Sequence, residues 1–301
     1  MSTPNANLLD SAPFGRVIPA MVTPMKSDGA IDYDAAAALA QHLVSDGADG
    51  LLVNGTTGES PVTHLEEKVK LVQVVKQAVD VPVISGAGSN DTAHTVRMAE
   101  MTQDAGADGL LIVMPYYSRP SQSGIVAHYK AVNEVAEKPI IVYDVPGRTG
   151  LHVTTSTYQR LAEFEHIAAV KDATGNIAEA LVKRRLTNLV WYSGDDSLYL
   201  PFLAMGAVGV ISVAADVAAK PMRQLAEAFD SGDIRKAQEL AAQSEPVITA
   251  LNGDGFQAVM AKAALKIKGY IPGTTMREPN VGPSARELDK AEEGMRRAGL
   301  L

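Results

Sequence analysis

A chain of 301 residues with 46% apolar and 21% charged side chains can bury a large core, and its net charge of −8 excludes a surface built to hold nucleic acid or anionic lipid. With no cysteine there is no disulfide, thiolate metal site or cysteine nucleophile, and a reducing cytoplasm is the expected home. Residues 1–15 lack the cationic start and apolar stretch of a signal peptide, and the most apolar region, 203–219, is broken by Ser212, Asp216 and glycines, so no membrane span is expected.

From the N-terminus onward, short apolar runs alternate with helix-length amphipathic segments. The runs are Val17–Thr23, Gly50–Asn54, Pro82–Gly86, Gly109–Met114, Pro139–Tyr143, Ile167–Lys171, Leu189–Ser193 and Val208–Val213. Their Val, Ile and Leu content predicts strands buried on both faces, with a crossover helix in each interval. A repeated αβ junction supports this reading. Asp46-Gly-Ala-Asp-Gly-Leu-Leu-Val53 returns as Ala105-Gly-Ala-Asp-Gly-Leu-Leu-Ile-Val113, and in looser form as Met205-Gly-Ala-Val-Gly-Val-Ile211. In each, a glycine able to take positive φ ends a helix and an apolar strand follows.

After the eighth run the pattern turns helical over 221–230, 233–251, 255–268 and 284–299, with a Pro/Gly-rich stretch at 271–283. The expected architecture is an α/β fold: a (β/α)8 TIM barrel over residues 1–230 with a C-terminal helical extension over 231–301. A doubly wound open sheet is the alternative, disfavoured because no Gly-x-Gly-x-x-Gly follows the first strand.

Barrel enzymes carry their chemistry at the C-terminal ends of the strands. Of fourteen lysines, Lys171 alone closes a strand as apolar as Ile167-Ala-Ala-Val170. Period two puts it on the face of Ala169, which leaves room beside it. A lysine desolvated in a barrel mouth loses pKa and becomes a neutral amine that attacks carbonyls; the competing reading is a lysine that reaches to the rim or pairs with a carboxylate. Tyr143 ends the neighbouring strand, within reach at matching height, where a phenol can carry protons or merely cap the core. The loop Gly55-Thr56-Thr57-Gly58-Glu59-Ser60 can cradle a small carboxylate or be a plain turn. Arg148, in the loop after strand five, can fork onto a carboxylate or sit on the surface. Asp195-Asp196 resembles a pair of metal ligands but reads better as an N-cap for a helix near Leu198. The six histidines have no metal-ligand spacing, so no metal and no other cofactor is expected.

Five of these segments together resemble the dihydrodipicolinate synthase / N-acetylneuraminate lyase family: Gly55-Thr-Thr-Gly-Glu-Ser60, Pro115-Tyr-Tyr-Ser-Arg-Pro120, Tyr143-Asp-Val-Pro-Gly-Arg-Thr-Gly150, Val170-Lys-Asp-Ala-Thr-Gly175 and Ser193-Gly-Asp-Asp196. The likeness runs from about Gly15 to the C-terminus. Within the family, the arginine after Tyr-x-x-Pro marks the branch that condenses pyruvate with L-aspartate-4-semialdehyde, as opposed to sialic-acid lyases; here it is Arg148. The resemblance implies that Lys171 forms a Schiff base with pyruvate. It implies a proton relay of Tyr143, Thr56 and Tyr117, the last donated by a neighbouring subunit of a homotetramer. Thr57 would hold the pyruvate carboxylate, Arg148 that of the aldehyde, and Gly194 and Ile211 would line the pocket through their backbones. A 2-keto-3-deoxy-sugar-acid aldolase or N-acetylneuraminate lyase is the nearest alternative, and a non-catalytic small-acid-binding barrel is the alternative of another class.

Two departures stand out. Asp144 and Gly147 replace the Asn and Ser common in much of the family. At the positions that bind the effector in lysine-regulated relatives, this chain has Leu65, Lys68, Asn90 and His94, of which only Asn90 fits, beside a retained Tyr116. The resemblance therefore implies weak regulation by lysine.

Overall fold

The computed structural model describes residues 12–253 and 255–301; most of the segment read for a signal peptide, residues 1–11, lies outside them. The barrel runs β1 (Val17–Pro19), α1 (Tyr33–Ser45), β2 (Leu51–Val53), α2 (Leu65–Ala78), β3 (Val83–Gly86), α3 (Thr92–Asp104), β4 (Gly109–Val113), α4 (Gln122–Asn133) and β5 (Ile140–Asp144). It continues with α5 (Pro146–Thr149), α6 (Thr155–Leu161), β6 (Ile167–Asp172), α7 (Ile177–Arg185), β7 (Val190–Ser193), α8 (Tyr199–Ala204), β8 (Gly209–Ser212) and α9 (Ala215–Asp230). Three helices follow: α10 (Ile234–Asn252), α11 (Gln257–Ile267) and α12 (Ala285–Arg297).

All strand pairs are parallel, in the order β1-β8-β7-β6-β5-β4-β3-β2. The ring closes where Ala20, just past β1, bridges Leu52 of β2 and the Met21 N–H donates to the Leu52 carbonyl at 3.0 Å. Each of the eight apolar runs coincides with one of these strands, β5 and β6 each running one residue past the expected end, to Asp144 and Asp172. Alternation sorts their side chains: Ile18, Leu52, Ile84, Leu111, Ile141, Ala169 and Ile211 fill the barrel, while Leu51, Val83, Leu110, Ile140, Val170 and Val210 face the helices. The three repeated junctions carry Gly47, Gly106 and Gly206 at φ +104°, +104° and +93°, a region closed to most residues with a Cβ.

One boundary differs from the sequence expectation. The helix expected over 221–230 begins at Ala215, because a first turn packs directly after β8. Ala218 then leaves helical geometry (φ −129°, ψ 25°), and Pro221 lies in the first turn of the straight segment that follows, where its missing N–H is tolerated. Of the last three helices, α11 matters most to the site. Its residues 258–265 are all buried, and it reaches the loop after β2.

Candidate active site

Tyr143 and Lys171 are paired residues of β5 and β6, so their side chains leave the barrel wall at the same height and on the same face. The Lys171 Nζ lies 4.5 Å from the centre of the Tyr143 ring. Lys171 is 5% exposed. Burial pulls its ammonium down to about 8; the Asp196 charge opposes the shift and the positive Arg148 adds to it. Burial raises the Tyr143 phenol, and Arg148 and the Thr56 hydroxyl pull it back. Room for the lysine comes partly from Gly194: a Cβ there would stand 3.1 Å from the Lys171 Cγ and 3.0 Å from the Ala173 Cβ. The Gly194 N–H is spent on the Asp172 carbonyl at 2.7 Å. Ile211 is buried in the barrel interior with Tyr143 and Ala169.

Tyr143 also joins Thr56, Arg148, Tyr116 and Phe256 in the wall of a cavity of about 530 Å³; Lys171, Gly194 and Ile211 are not among the residues that line it. Thr57, next to Thr56, is buried and does not line the cavity. Their loop is a tight turn in which the Glu59 N–H donates to the Thr56 carbonyl and the Ser60 N–H to that of Gly55. Glu59 takes left-handed geometry (φ 58°), and its carboxylate accepts from the Lys262 Nζ of α11 at 2.5 Å and from the Arg277 N–H at 3.0 Å. Both side chains of the Glu59–Lys262 pair are fully buried. Sequence reading missed this clamp, although a lone charge inside the apolar stretch 258–265 was a signal for it.

Arg148 lies in α5, where its Nη2 donates to the Gln257 Oε1 at 3.0 Å and its guanidinium stands 5.8 Å from the Phe256 ring. Of the two adjacent aspartates, Asp195 supplies the expected cap and accepts from the Ser197 N–H. Asp196 does something else. It is buried and accepts from the Ala214 N–H at 2.9 Å and the Asn252 Nδ2 at 2.7 Å, tying β8 and α10 to the end of β7. Tyr117 stands apart from the cavity of its own chain. It sits at φ 68° on the loop after β4 and is 89% exposed. The departure at Asp144 points away from the barrel interior, toward the Tyr158 hydroxyl at 2.9 Å and the Lys183 Nζ at 3.9 Å. A Cβ on Gly147 would meet nothing within 4 Å.

Lys68 lines the far side of the same cavity and is itself buried. Its Nζ donates to the carbonyls of Ser60 and Thr63, both at 2.7 Å, and to the Thr63 hydroxyl. The adjacent Glu67 is engaged by the Arg277 guanidinium, which holds its carboxyl down at about 2. Among the described residues, no three His, Asp or Glu side chains converge in a way that would hold a metal ion.

Residues 13–297 match the dihydrodipicolinate synthetase family. The chain belongs to that family. It is 72% identical over its whole length, and that of its relative, to a 4-hydroxy-tetrahydrodipicolinate synthase of Bifidobacterium longum. Among solved structures, the dihydrodipicolinate synthase of Cyanidioschyzon merolae with lysine bound superposes with a TM-score of 0.92 at 39% identity, covering 96% of this chain and 99% of the other. The chloride-inhibited enzyme of Acinetobacter baumannii, complexed with pyruvate, gives a TM-score of 0.91 at 32% identity, covering 96% and 100%. The resemblance drawn from five short motifs therefore extends over the full chain, and the barrel with C-terminal helices is the family's fold. No helix among the described residues is long and apolar enough to cross a membrane.

Proposed function

We propose that this chain is a class I lyase that condenses pyruvate with L-aspartate-4-semialdehyde to 4-hydroxy-tetrahydrodipicolinate, a step of lysine and diaminopimelate biosynthesis. The observation that carries the reading is the buried, low-pKa Lys171 near the end of β6, held against Tyr143, which shares a cavity wall with Thr56 and Arg148. Neutral Lys171 attacks the ketone carbon of pyruvate and water leaves, giving an iminium. Loss of a methyl proton makes the enamine, whose carbon attacks the aldehyde. The amine of the second substrate then adds to the iminium carbon, displaces Lys171 and closes the ring. Every proton movement occurs at or beside one imine, so one buried phenol with Thr56 serves several steps.

Thr57 is assigned to the pyruvate carboxylate and Arg148, whose fork suits a carboxylate, to that of the aldehyde. Gly194 and Ile211, which lie beside Lys171 and Tyr143 and outside the walls of the described cavity, are assigned to the substrate pocket through their backbones. Tyr117 completes the relay from a neighbouring subunit. Its exposure and left-handed backbone support that role, since an exposed aromatic on a constrained loop suits an interface. The assembly assigned is a homotetramer, a dimer of dimers. Exposed apolar side chains at Leu181 and Val182 on α7 and at Leu186, which caps its C-terminus, support a further contact between subunits. The compartment assigned is the cytoplasm; the reaction uses no cofactor and no metal, and neither nucleic acid nor membrane is a partner. Borohydride added with pyruvate tests the chemistry. Intact-mass and peptide analysis are expected to place the adduct on Lys171, with none in Lys171→Arg, whose guanidinium stays protonated. A coupled assay with a panel of aldehydes then tests the second substrate; turnover of sugar aldehydes in place of aspartate semialdehyde would overturn the assignment.

A further inference from the structure

We infer that Asn252 at the end of α10 and Gln257 at the start of α11 are positioning residues that hold Arg148 at the cavity and so set affinity for the carboxylated aldehyde. The inference rests on the reading of Arg148 given above. Four groups form one unbroken chain. The Arg148 Nη2 donates to the Gln257 Oε1 at 3.0 Å, the Gln257 Nε2 donates to the Asn252 Oδ1 at 2.7 Å, and the Asn252 Nδ2 donates to the Asp196 Oδ2 at 2.7 Å. The same Asp196 oxygen accepts the Ala214 N–H at 2.9 Å.

The two ends settle the direction. A guanidinium only donates, so Gln257 must turn its oxygen to Arg148. That leaves the Gln257 NH2 for Asn252, whose oxygen is thereby used and whose NH2 faces the carboxylate. Both amide dipoles then point the same way, from the anionic end at Asp196 to the cationic end at Arg148, and each strengthens the next. The anchoring end is buried and fixed on β7, β8 and α10, while Arg148 is an exposed side chain with several free torsions. Untethered, it would have to be ordered again each time a carboxylate binds; tethered, the fork is already in place. Gln257 occupies one nitrogen of the guanidinium, and the rest of the fork stays free for a ligand. Asp196 is also close enough to act on the Lys171 charge, so the chain runs from the grip on the second substrate toward the nucleophile.

Steady-state kinetics of Gln257→Leu, with both substrates varied, tests this. The KM for aspartate semialdehyde is expected to rise about tenfold, the loss of one hydrogen bond to a charged group. The KM for pyruvate and the yield of the borohydride adduct on Lys171 should stay as in the parent enzyme. Gln257→Glu should raise the semialdehyde KM further, because its carboxylate competes with the substrate for Arg148. In an Arg148→Ala background, Gln257→Leu should add nothing. A semialdehyde KM within twofold of the parent value, an equal rise for pyruvate, or the same rise without Arg148 would each overturn the inference. If the parent enzyme traps pyruvate but rejects aspartate semialdehyde, the functional reading fails instead. The positioning claim is then decided by a crystal structure of Gln257→Leu, where the Arg148 guanidinium should leave its place beside Phe256; an unmoved guanidinium would refute it.

Discussion

Lys262→Met isolates the clamp that joins the C-terminal helices to the loop carrying Thr56 and Thr57. Methionine keeps most of the volume and removes the charge, so the substitution opens little cavity. It leaves the Glu59 Oε1 without a partner and the Thr275 carbonyl without its donor, while the Arg277 N–H still serves the other Glu59 oxygen. Both members of the pair are 0% exposed, so solvent screening does not soften the loss. Breaking a buried pair from one side costs about 3–5 kcal/mol, chiefly through the charge left unpaired. With roughly 2–4 °C lost per kcal/mol in domains of ~150–250 residues, and somewhat less in a longer chain, the melting temperature should fall by about 5–15 °C. Denaturant unfolding at several protein concentrations is the assay, since subunit dissociation would otherwise enter the midpoint. Adding Glu59→Gln removes the stranded carboxylate without changing the backbone demand at φ 58°, and should restore more than half of the lost stability. A Lys262→Met enzyme within about 1 kcal/mol of the parent, or no recovery in the double variant, would refute the claim that this pair secures the loop.

The pH dependence follows from Lys171, whose folded pKa of about 8 lies below its ordinary 10.5. The neutral amine appears as pH rises, so kcat/KM for pyruvate should climb with a midpoint near 8 and then level; a flat profile between pH 6 and 9 would exclude Lys171 as the titrating nucleophile. Between 8 and 10.5 the unfolded chain holds the Lys171 proton that the folded chain has lost, so this residue's contribution to stability rises with pH over that window. Tyr117→Phe should keep the assembly seen by light scattering and lower kcat by about 10²-fold, the low end for loss of a proton carrier; full activity would remove Tyr117 from the relay. Free L-lysine should inhibit only weakly, because the Lys68 ammonium already occupies the Ser60 and Thr63 carbonyls and Glu67 is bound to Arg277. Inhibition well below millimolar lysine in initial-rate assays, abolished by Asn90→Ala, would show that a working effector site survives these substitutions.

How much of this was legible in the sequence depended on distance along the chain. The strands were readable because burial on both faces writes an unbroken apolar run, and Lys171 because it interrupts such a run at its end. The meeting of Lys171 with Tyr143 followed from period-two alternation and from consecutive strands being neighbours in a parallel barrel. The separate role of Asp196 was hidden for a local reason. Its position before a short helix is what an N-cap looks like, and Asp195 beside it takes that role; that Asp196 instead faces Ala214 and Asn252 depends on partners 18 and 56 residues away. The Glu59–Lys262 pair spans 203 residues and the Arg148–Gln257 contact 109. No periodicity within either segment reports on the other.

This division has a physical origin that bears on function. Lys171, the proposed nucleophile, stands on a strand, whose pleat and neighbours dictate where a side chain points. Thr56, Thr57 and Arg148 stand beyond strand ends, on a loop and a four-residue helix that cannot fix their own orientation, and that orientation is supplied by α10 and α11 through Glu59, Lys262, Asn252 and Gln257. Substitutions in the C-terminal helices are therefore expected to act on substrate affinity at the proposed grips, while the amine of Lys171, held by the barrel itself, should keep its reactivity. A variant there that abolished trapping even at saturating pyruvate, while the barrel stayed folded, would contradict this separation of roles.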